Sequence, residues 1–228
     1  WTGRIEAPAS YRAQGKVQDL ALAAGPMAPR GPDLHYPMGR PGVEGLSADF
    51  TLTEGGGEAR LALTDGALEF PGVFQEPRVP MAQLDGLVRW QHAGARLAVQ
   101  VPELRFANAD ATGQLQARWD SRADAPADGA PQGPGTLALE GKLTRADGTR
   151  VHRYLPLAVG DDARHYVRDA VQRGRASSVQ FKVRSDLDHF PYKDPKPGEF
   201  HIAAEVEDVQ YAYVPPRLQD AGELPWPV

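Results

Sequence analysis

The sequence has no cysteine and no long hydrophobic segment. Because none of its 228 residues is Cys, disulfide bonds, thiolate nucleophiles and cysteine-ligated zinc sites are excluded. The absence of Cys fits an oxidising compartment as well as the cytosol. No run of about 18 apolar residues occurs, so no segment is predicted to span a membrane, and no secretory signal opens the chain. It begins at Trp1-Thr2-Gly3, and we expect it to be an internal piece of a longer protein.

An excess of positive charge is also missing. The net charge is −5 and the pI is about 5.7, which argues against a nucleic-acid-binding protein that releases counterions. The 140–175 region is locally basic, because eight cations there exceed five anions. We predict a basic surface for anionic headgroups or an acidic partner, formed by Arg150, Arg153, Arg164 and Arg168. The alternative is a solvated helix face with ion pairs between successive turns.

The composition favours a folded, turn-rich β-protein. Hydrophobic residues make up 41% and charged residues 24% of the chain, which argues against wholesale disorder. The 24 glycines and 21 prolines predict frequent turns and few long helices.

Alternation of apolar and polar residues predicts strands over most of the first 119 residues. One strand region is predicted from Tyr11 to Ala23, and the 46–70 region reads as hairpins in series. Their turns are predicted at the glycines of 55–57 and at Asp65-Gly66. The 84–119 region contains three further alternating segments. In them Leu97, Val99 and Val101 share one face of a strand, and Leu115, Ala117 and Trp119 share one face of the next.

The 120–135 region has no periodicity and is rich in Ala, Asp, Pro and Gly. We predict a flexible loop there, between a hairpin-rich segment of 1–119 and a second segment of 136–228, although the two segments can also form one continuous domain.

The 136–228 segment combines a hairpin, a helix and two further strands. The hairpin is predicted over 136–156 with its turn at Asp147-Gly148. Helical periodicity predicts one amphipathic helix at about 161–173, with Asp161 or Asp162 capping its start and Gly174 ending it. Strand alternation returns at 177–187 and 199–214.

Motifs for catalysis or metal binding are not found in the sequence. The six histidines have no metal-ligand spacing, and the acidic pairs lack a second motif that would make them catalytic. We therefore expect no enzyme activity, no metal and no cofactor. A carbohydrate-binding or hydrolytic β-domain would need aromatic platforms or paired carboxylates in a cleft, and we see no sign of either.

Several segments in the second half occur in the order typical of a known family. They are Tyr154-Leu155-Pro156, a helix followed by Gly174, Asp188-His189-Phe190-Pro191-Tyr192, Gly198-Glu199-Phe200 and Trp226-Pro227. In this order they resemble the YhdP family of AsmA-like proteins, with His189 as an insertion and Tyr192 in place of phenylalanine. The resemblance is strongest over roughly 136–227 and is collinear but weaker over the hairpins of 46–119.

The resemblance implies a segment of a large envelope protein of Gram-negative bacteria that conducts phospholipid across the periplasm during outer membrane biogenesis. The parent protein would carry an inner-membrane anchor outside this segment. The implied fold is mainly β, with consecutive antiparallel hairpins forming a curved, groove-like sheet; an opened sandwich is the alternative. Acyl chains would lie on an apolar strand face, for which the candidates are Leu137, Leu139, Leu143, Val179, Phe181, Val183, Phe200, Ile202, Ala204 and Val206. Gly141, on the same face, is expected to allow a bend or bulge.

The main rival is an envelope scaffold or protein-interaction domain. In it the same faces would form a closed core, and the basic 142–175 surface would bind a protein partner. A lipid conduit must leave a long apolar surface open, whereas a scaffold domain buries its strand faces.

Overall fold

A computed structural model of the chain describes residues 2–4, 7–27, 39–94, 96–121, 135–187 and 198–218. Eleven strands and one α-helix are assigned within these ranges. The strands are β1 (Thr2–Arg4), β2 (Ala7–Ser10), β3 (Arg12–Leu22), β4 (Gly42–Thr53), β5 (Gly56–Glu69), β6 (Arg78–Ala93), β7 (Arg96–Ala107), β8 (Ala111–Asp120), β9 (Thr136–Asp147), β10 (Val171–Asp186) and β11 (Glu199–Tyr211). The helix α1 spans Asp161–Ala170, and two 3-10 helices span Gly148–Tyr154 and Pro216–Leu218.

Nine strands form one open antiparallel sheet in which each strand pairs with its neighbours in sequence, from β3 at one edge to β11 at the other. Strands β1 and β2 pair with each other in a separate two-stranded sheet. The mainly β fold of consecutive antiparallel hairpins is thus confirmed, and it takes the form of a single open sheet rather than a sandwich. The strand predicted from Tyr11 to Ala23 corresponds to β3, and the segments predicted within 84–119 correspond to β6, β7 and β8.

Two ends of this sheet differ in their connections. At the end that we call the turn end, tight turns join β4 to β5 and β6 to β7, near Gly55 and Gly94. At the opposite end, the cap end, the 70–77 loop joins β5 to β6, and the 148–170 connection with α1 joins β9 to β10. The connections β8–β9 and β10–β11 also lie at the turn end, and most of their residues are outside the described ranges.

The expected turn at Asp65-Gly66 is wrong, because β5 continues through it from Gly56 to Glu69. Asp65 instead adopts a left-handed backbone conformation with φ of 52°. Asp19 on β3 shows the same value, and Gly45 on the intervening β4 has φ of 78°. Aspartate tolerates this conformation better than most residues, and such residues bend a strand locally. The Asp65-Gly66 pair therefore marks a local irregularity within β5 rather than a turn, and Gly45 on β4 and Asp19 on β3 continue this irregularity across the neighbouring strands.

The 136–156 region also differs from the predicted hairpin. After β9 ends at Asp147, the chain enters the 3-10 helix, whose first backbone amides are capped by the Asp147 side chain through Thr149 N at 2.9 Å. The helix α1 is confirmed but ends at Ala170, so Gly174 lies inside β10 rather than at a helix end. The expected capping by Asp161 or Asp162 is not found: the N-cap is Gly160, which has no side chain, and the Asp161 carboxylate binds Arg164.

The 120–135 region lies between β8 and β9, which pair directly with each other from Ala111 opposite Ala146 to Asp120 opposite Thr136. Residues 122–134 lie outside the described residues. The sheet therefore continues from the first predicted segment into the second.

Three large apolar side chains form a small buried cluster near the cap end. Leu63, Met81 and Leu84 are 2%, 5% and 4% exposed, respectively. Seven half-buried residues pack around them: Val43, Leu46, Leu61, Leu68, Val79, Leu104 and Phe106. The other buried apolar residues, such as Ala111, Ala170 and Ala176, also lie toward the cap end.

Candidate functional site

One face of the nine-stranded sheet is apolar from edge to edge. Register partners on adjacent strands lie on the same face, so each row of partners can be followed across the sheet. One row runs from β3 to β11 as Val17, Ala48, Leu61, Gly86, Leu104, Leu115, Gly141, Phe181 and Ile202. The next row toward the cap end is Leu20, Leu46, Leu63, Leu84, Phe106, Gly113, Leu143, Val179 and Ala204. We call the surface formed by these rows and their neighbours the apolar face.

Polar side chains dominate the opposite face. A row on that side contains Gln14, Thr51, Glu58, Arg89, Gln100, Arg118, Ala138, Arg184 and Glu199. Ion pairs bind adjacent strands there, such as Lys16 with Asp49 at 3.0 Å and Lys182 with Glu199 at 3.0 Å. Side chains of the apolar face are also more buried than those of the polar face: Leu115 and Ala117 are half-buried, whereas Gln114 and Gln116 are exposed. The sheet is amphipathic, with one dry and one solvated side.

No second sheet layer covers the apolar face within the described residues, where the remaining sheet is the β1–β2 hairpin. Most residues of the face shield one another and are half-buried. On the edge strand β11, Phe200, Ile202 and Val206 are 58%, 51% and 60% exposed. An exposed apolar surface of this extent is unusual for a monomeric protein and marks an interaction site.

The structure brings the ten apolar candidates of the sequence analysis together on this face. Phe181 pairs with Ile202 on β11, Val183 pairs with Phe200 and with Leu139 on β9, and the remaining candidates follow in the same registers. The sequence list missed the equivalent residues of β3 to β8, including Leu61, Leu104 and Leu115. Their alternation was visible in the sequence, but only the register shows that all nine strands contribute to one surface.

Five glycines of the apolar face lie beneath large side chains of the neighbouring strand. A Cβ atom built on Gly141 would lie 2.2 Å from Cζ of Phe181, and one built on Gly57 would lie 2.6 Å from Cζ2 of Trp90. The other pairs are Gly15 with Phe50, Gly86 with Leu104 and Gly113 with Leu143, each also a pair in register. The ladder shows no register shift at Gly141, so the bulge that was one of the two expectations there is not found. Instead the glycines let rings and leucines lie flat on the sheet, which keeps the space above it open.

A group of contacts that we call the clasp closes the cap end. It joins the 70–77 loop, the β7–β8 turn and the 3-10 helix after β9. The Tyr154 hydroxyl donates to Asp110 Oδ2 at 3.0 Å and accepts from Asn108 Nδ2 at 2.9 Å. Burial raises the pKa of Tyr154 to about 12.

The clasp also contains an ion-pair bridge and an aromatic cluster. Arg153 contacts Asp110 at 2.6 Å and Glu76 at 2.9 Å. The rings of Phe70, Phe74 and Tyr154 pack edge to face, at centroid distances of 5.8 and 6.3 Å. The Leu157 amide donates to the Val73 carbonyl at 2.8 Å. Loops from β5–β6 and β9–β10, which are not neighbours in the sheet, are thereby held together.

The expected basic surface is largely taken up by internal contacts. Arg164 is only 5% exposed, because its guanidinium donates to the carbonyls of Leu157 and Val159 and binds Asp161. Arg153 belongs to the clasp, and Arg168 contacts Asp169 at 2.8 Å. Only Arg150 of the four candidates is exposed without an ion pair among the described residues. Arg164 is therefore a structural residue rather than part of an exposed binding surface.

Groups that could hold a metal ion are not found among the described residues, and no helix there has the length and apolar character needed to cross a membrane. The segments Asp188-His189-Phe190-Pro191-Tyr192 and Trp226-Pro227 lie outside the described residues.

Comparison with known families gives one match. The family described as YhdP protein matches residues 1–224 of the chain. No curated protein and no solved structure matches it.

Proposed function

The chain belongs to the YhdP protein family, and from this membership and the open apolar face we propose that it binds phospholipid acyl chains as a segment of an envelope protein. The face would form part of a path for lipid between the inner and outer membranes. In this proposal the segment has no enzyme activity, needs no cofactor and works in the periplasm within a parent chain anchored in the inner membrane.

The continuity of the apolar face carries this proposal. Rows of apolar partners cross all nine strands, a width of about 38 Å for eight inter-strand spacings of about 4.8 Å. Transfer of acyl chains from water to such a surface is favourable by about 0.8 kcal/mol per CH₂ group. A carrier with this property needs a continuous dry surface and no reactive groups.

The scaffold alternative has less support. A scaffold domain would bury its strand faces, whereas Phe200, Ile202 and Val206 are more than half exposed. Its expected basic binding surface is reduced, because Arg164 is buried and Arg153 and Arg168 are paired with carboxylates. Both observations favour the lipid-binding function.

Photo-crosslinking in cells tests the proposal. A photoreactive amino acid is placed at Phe181, on the apolar face, or at the adjacent Gln180, on the polar face, in the full-length protein of cells that carry labelled phospholipid. We expect labelled lipid to be captured at 181 and not at 180. Capture at neither position, nor at Ile202, would overturn the proposed function and favour the scaffold.

A further inference from the structure

Both tryptophans of the described residues lie in one row of the apolar face, near the turn end. Trp90 on β6 and Trp119 on β8 are both register partners of Val99 on the strand between them. The row also contains Leu52, Gly57 and Leu137. Both indole rings are half-buried. Tryptophan favours positions where one side of the ring is apolar and the other is wet, as at a membrane–water interface.

Beyond this row, toward the turn end, polar side chains appear on the same face. Two residues further along the strands lie the exposed His92, on β6, and the half-buried Ser121, directly after β8. The Ser121 hydroxyl accepts a hydrogen bond from the Leu97 amide at 2.8 Å. Leu97, the register partner of His92, is apolar, and the neighbouring Arg96 lies on the opposite face. His92 and Ser121 can bind water or a polar headgroup, so the tryptophan row lies next to the polar border of the face.

From the tryptophan row toward the cap end, the face stays apolar. It continues through the two complete rows, reaches the buried cluster of Leu63, Met81 and Leu84, and ends at the clasp. Phe106, on β7, lies in the last of these rows and pairs with Leu84 and Gly113. The two ends of the face therefore differ: the polar His92 and Ser121 border it at the turn end, and the buried cluster and the clasp border it at the cap end.

The depth of the apolar face matches the length of lipid tails. From Gly113, the partner of Phe106, to Trp119 the strand β8 advances six residues, about 20 Å at about 3.3 Å per residue. The acyl chains of one leaflet occupy about 15 Å, half of the hydrocarbon core of a bilayer of about 30 Å. Tails lying parallel to the strands would fit between the tryptophan row and the closed end.

We infer that phospholipids lie along the strands, with their headgroups at the turn end beyond Trp90 and Trp119 and their tails directed toward the clasp. This inference rests on the proposed function and adds the orientation of the lipid. Successive lipids then lie side by side across the strands, and they move along the rows of register partners. The clasp prevents the headgroups from leaving at the cap end.

Fluorescence quenching by brominated lipids tests this orientation. The variant Trp1→Phe/Trp226→Phe retains Trp90 and Trp119 as its tryptophans. It is mixed with phosphatidylglycerol vesicles whose acyl chains carry bromine either near the ester or near the terminal methyl group. A second variant replaces all four tryptophans with Phe and carries Phe106→Trp as its reporter. A control with the same background carries Gln100→Trp, on the polar face.

We expect bromine near the ester to quench Trp90 and Trp119 more strongly than bromine near the methyl group, and the reverse order for Phe106→Trp. The Gln100→Trp control should not be quenched. Equal quenching by both lipids, reversed orders, or quenching at Trp90 and Trp119 without any at Phe106→Trp would overturn the orientation while lipid contact stands. No quenching at any apolar-face reporter would overturn the proposed function itself.

Discussion

Phe181 on β10 lies directly over Gly141, its register partner on β9, so closely that a Cβ atom at Gly141 would be 2.2 Å from the phenyl ring. The ring therefore lies against the backbone of the sheet rather than projecting into the space above it. The same relationship recurs at Gly57 beneath Trp90. Large apolar residues thus cover the sheet while staying close to its backbone.

The substitution Gly141→Ala should lift the Phe181 ring and destabilise the chain by about 1–3 kcal/mol, as overpacking does. Gly55→Ala is the matched control, because nothing lies within 4 Å of a Cβ built there. Urea unfolding measures both changes. Equal stability of the two variants would show that the contact between ring and glycine has no energetic role. The double variant Gly141→Ala/Phe181→Leu should recover part of the loss.

The clasp should make the stability of the chain depend on pH in the alkaline range. The pKa of Tyr154 is about 12 in the folded chain and about 10 in an unfolded one. The unfolded chain therefore loses this proton first. The free energy of unfolding should be unaffected below pH 10 and should decrease between pH 10 and 12. Because Tyr154 is half-buried and partly screened by solvent, we expect a decrease of about 1–2 kcal/mol, less than the full shift would give.

The variant Tyr154→Phe should lack this component of the alkaline loss, since it has no hydroxyl to ionise. At neutral pH it should cost about 1 kcal/mol through the lost hydrogen bonds to Asn108 and Asp110. Urea unfolding at a series of pH values measures both effects. If the free energy of unfolding depends on pH in the same way in Tyr154→Phe and in the unchanged chain, ionisation of Tyr154 does not cause the alkaline loss.

The left-handed conformation of Asp65 gives a prediction about the bend of β5. Asp65→Val should destabilise the chain by about 1–2 kcal/mol, because a β-branched residue is disfavoured at its φ of 52°. Asp65→Gly should be neutral or slightly stabilising, since glycine has no Cβ. Thermal unfolding separates these cases, and equal melting temperatures for the two variants would show that the backbone conformation is not maintained.

A charge on the apolar face should remove lipid binding without unfolding the sheet. Ile202 is 51% exposed, so Ile202→Glu should change stability little while placing a carboxylate where acyl chains are proposed to lie. His201→Glu, on the opposite face of the same strand, is the control. Lipid capture at position 181 should be lost in the first variant and kept in the second. Undiminished capture in Ile202→Glu would contradict a lipid path at β11.

Arg164 and Arg150 should differ in their effect on stability. Arg164→Met removes the hydrogen bonds to the carbonyls of Leu157 and Val159 and should cost about 2–3 kcal/mol. Arg150→Met, at an exposed position, should cost little. Chemical denaturation measures the free energy of unfolding of both variants. Similar losses in the two variants would show that Arg164 does not contribute more to stability than an exposed arginine.

The sequence by itself determined the strands and their two faces. Alternation in segments such as that of Phe181 and Val183 fixes which side chains point the same way, since successive residues of a strand face opposite sides. The helical period likewise identified α1. These are local properties, which neighbours in the chain decide.

Only the tertiary structure decided how these faces combine. The register shows that Ile202 and Val17, at opposite edges of the sheet, belong to one row, and that Asp65-Gly66 bends a strand rather than ending it. It also placed Arg164 inside the molecule and joined Tyr154 to Asp110, 44 residues apart in sequence. Such contacts depend on which distant segments pair with each other, and the residue pattern of a single segment does not contain that information.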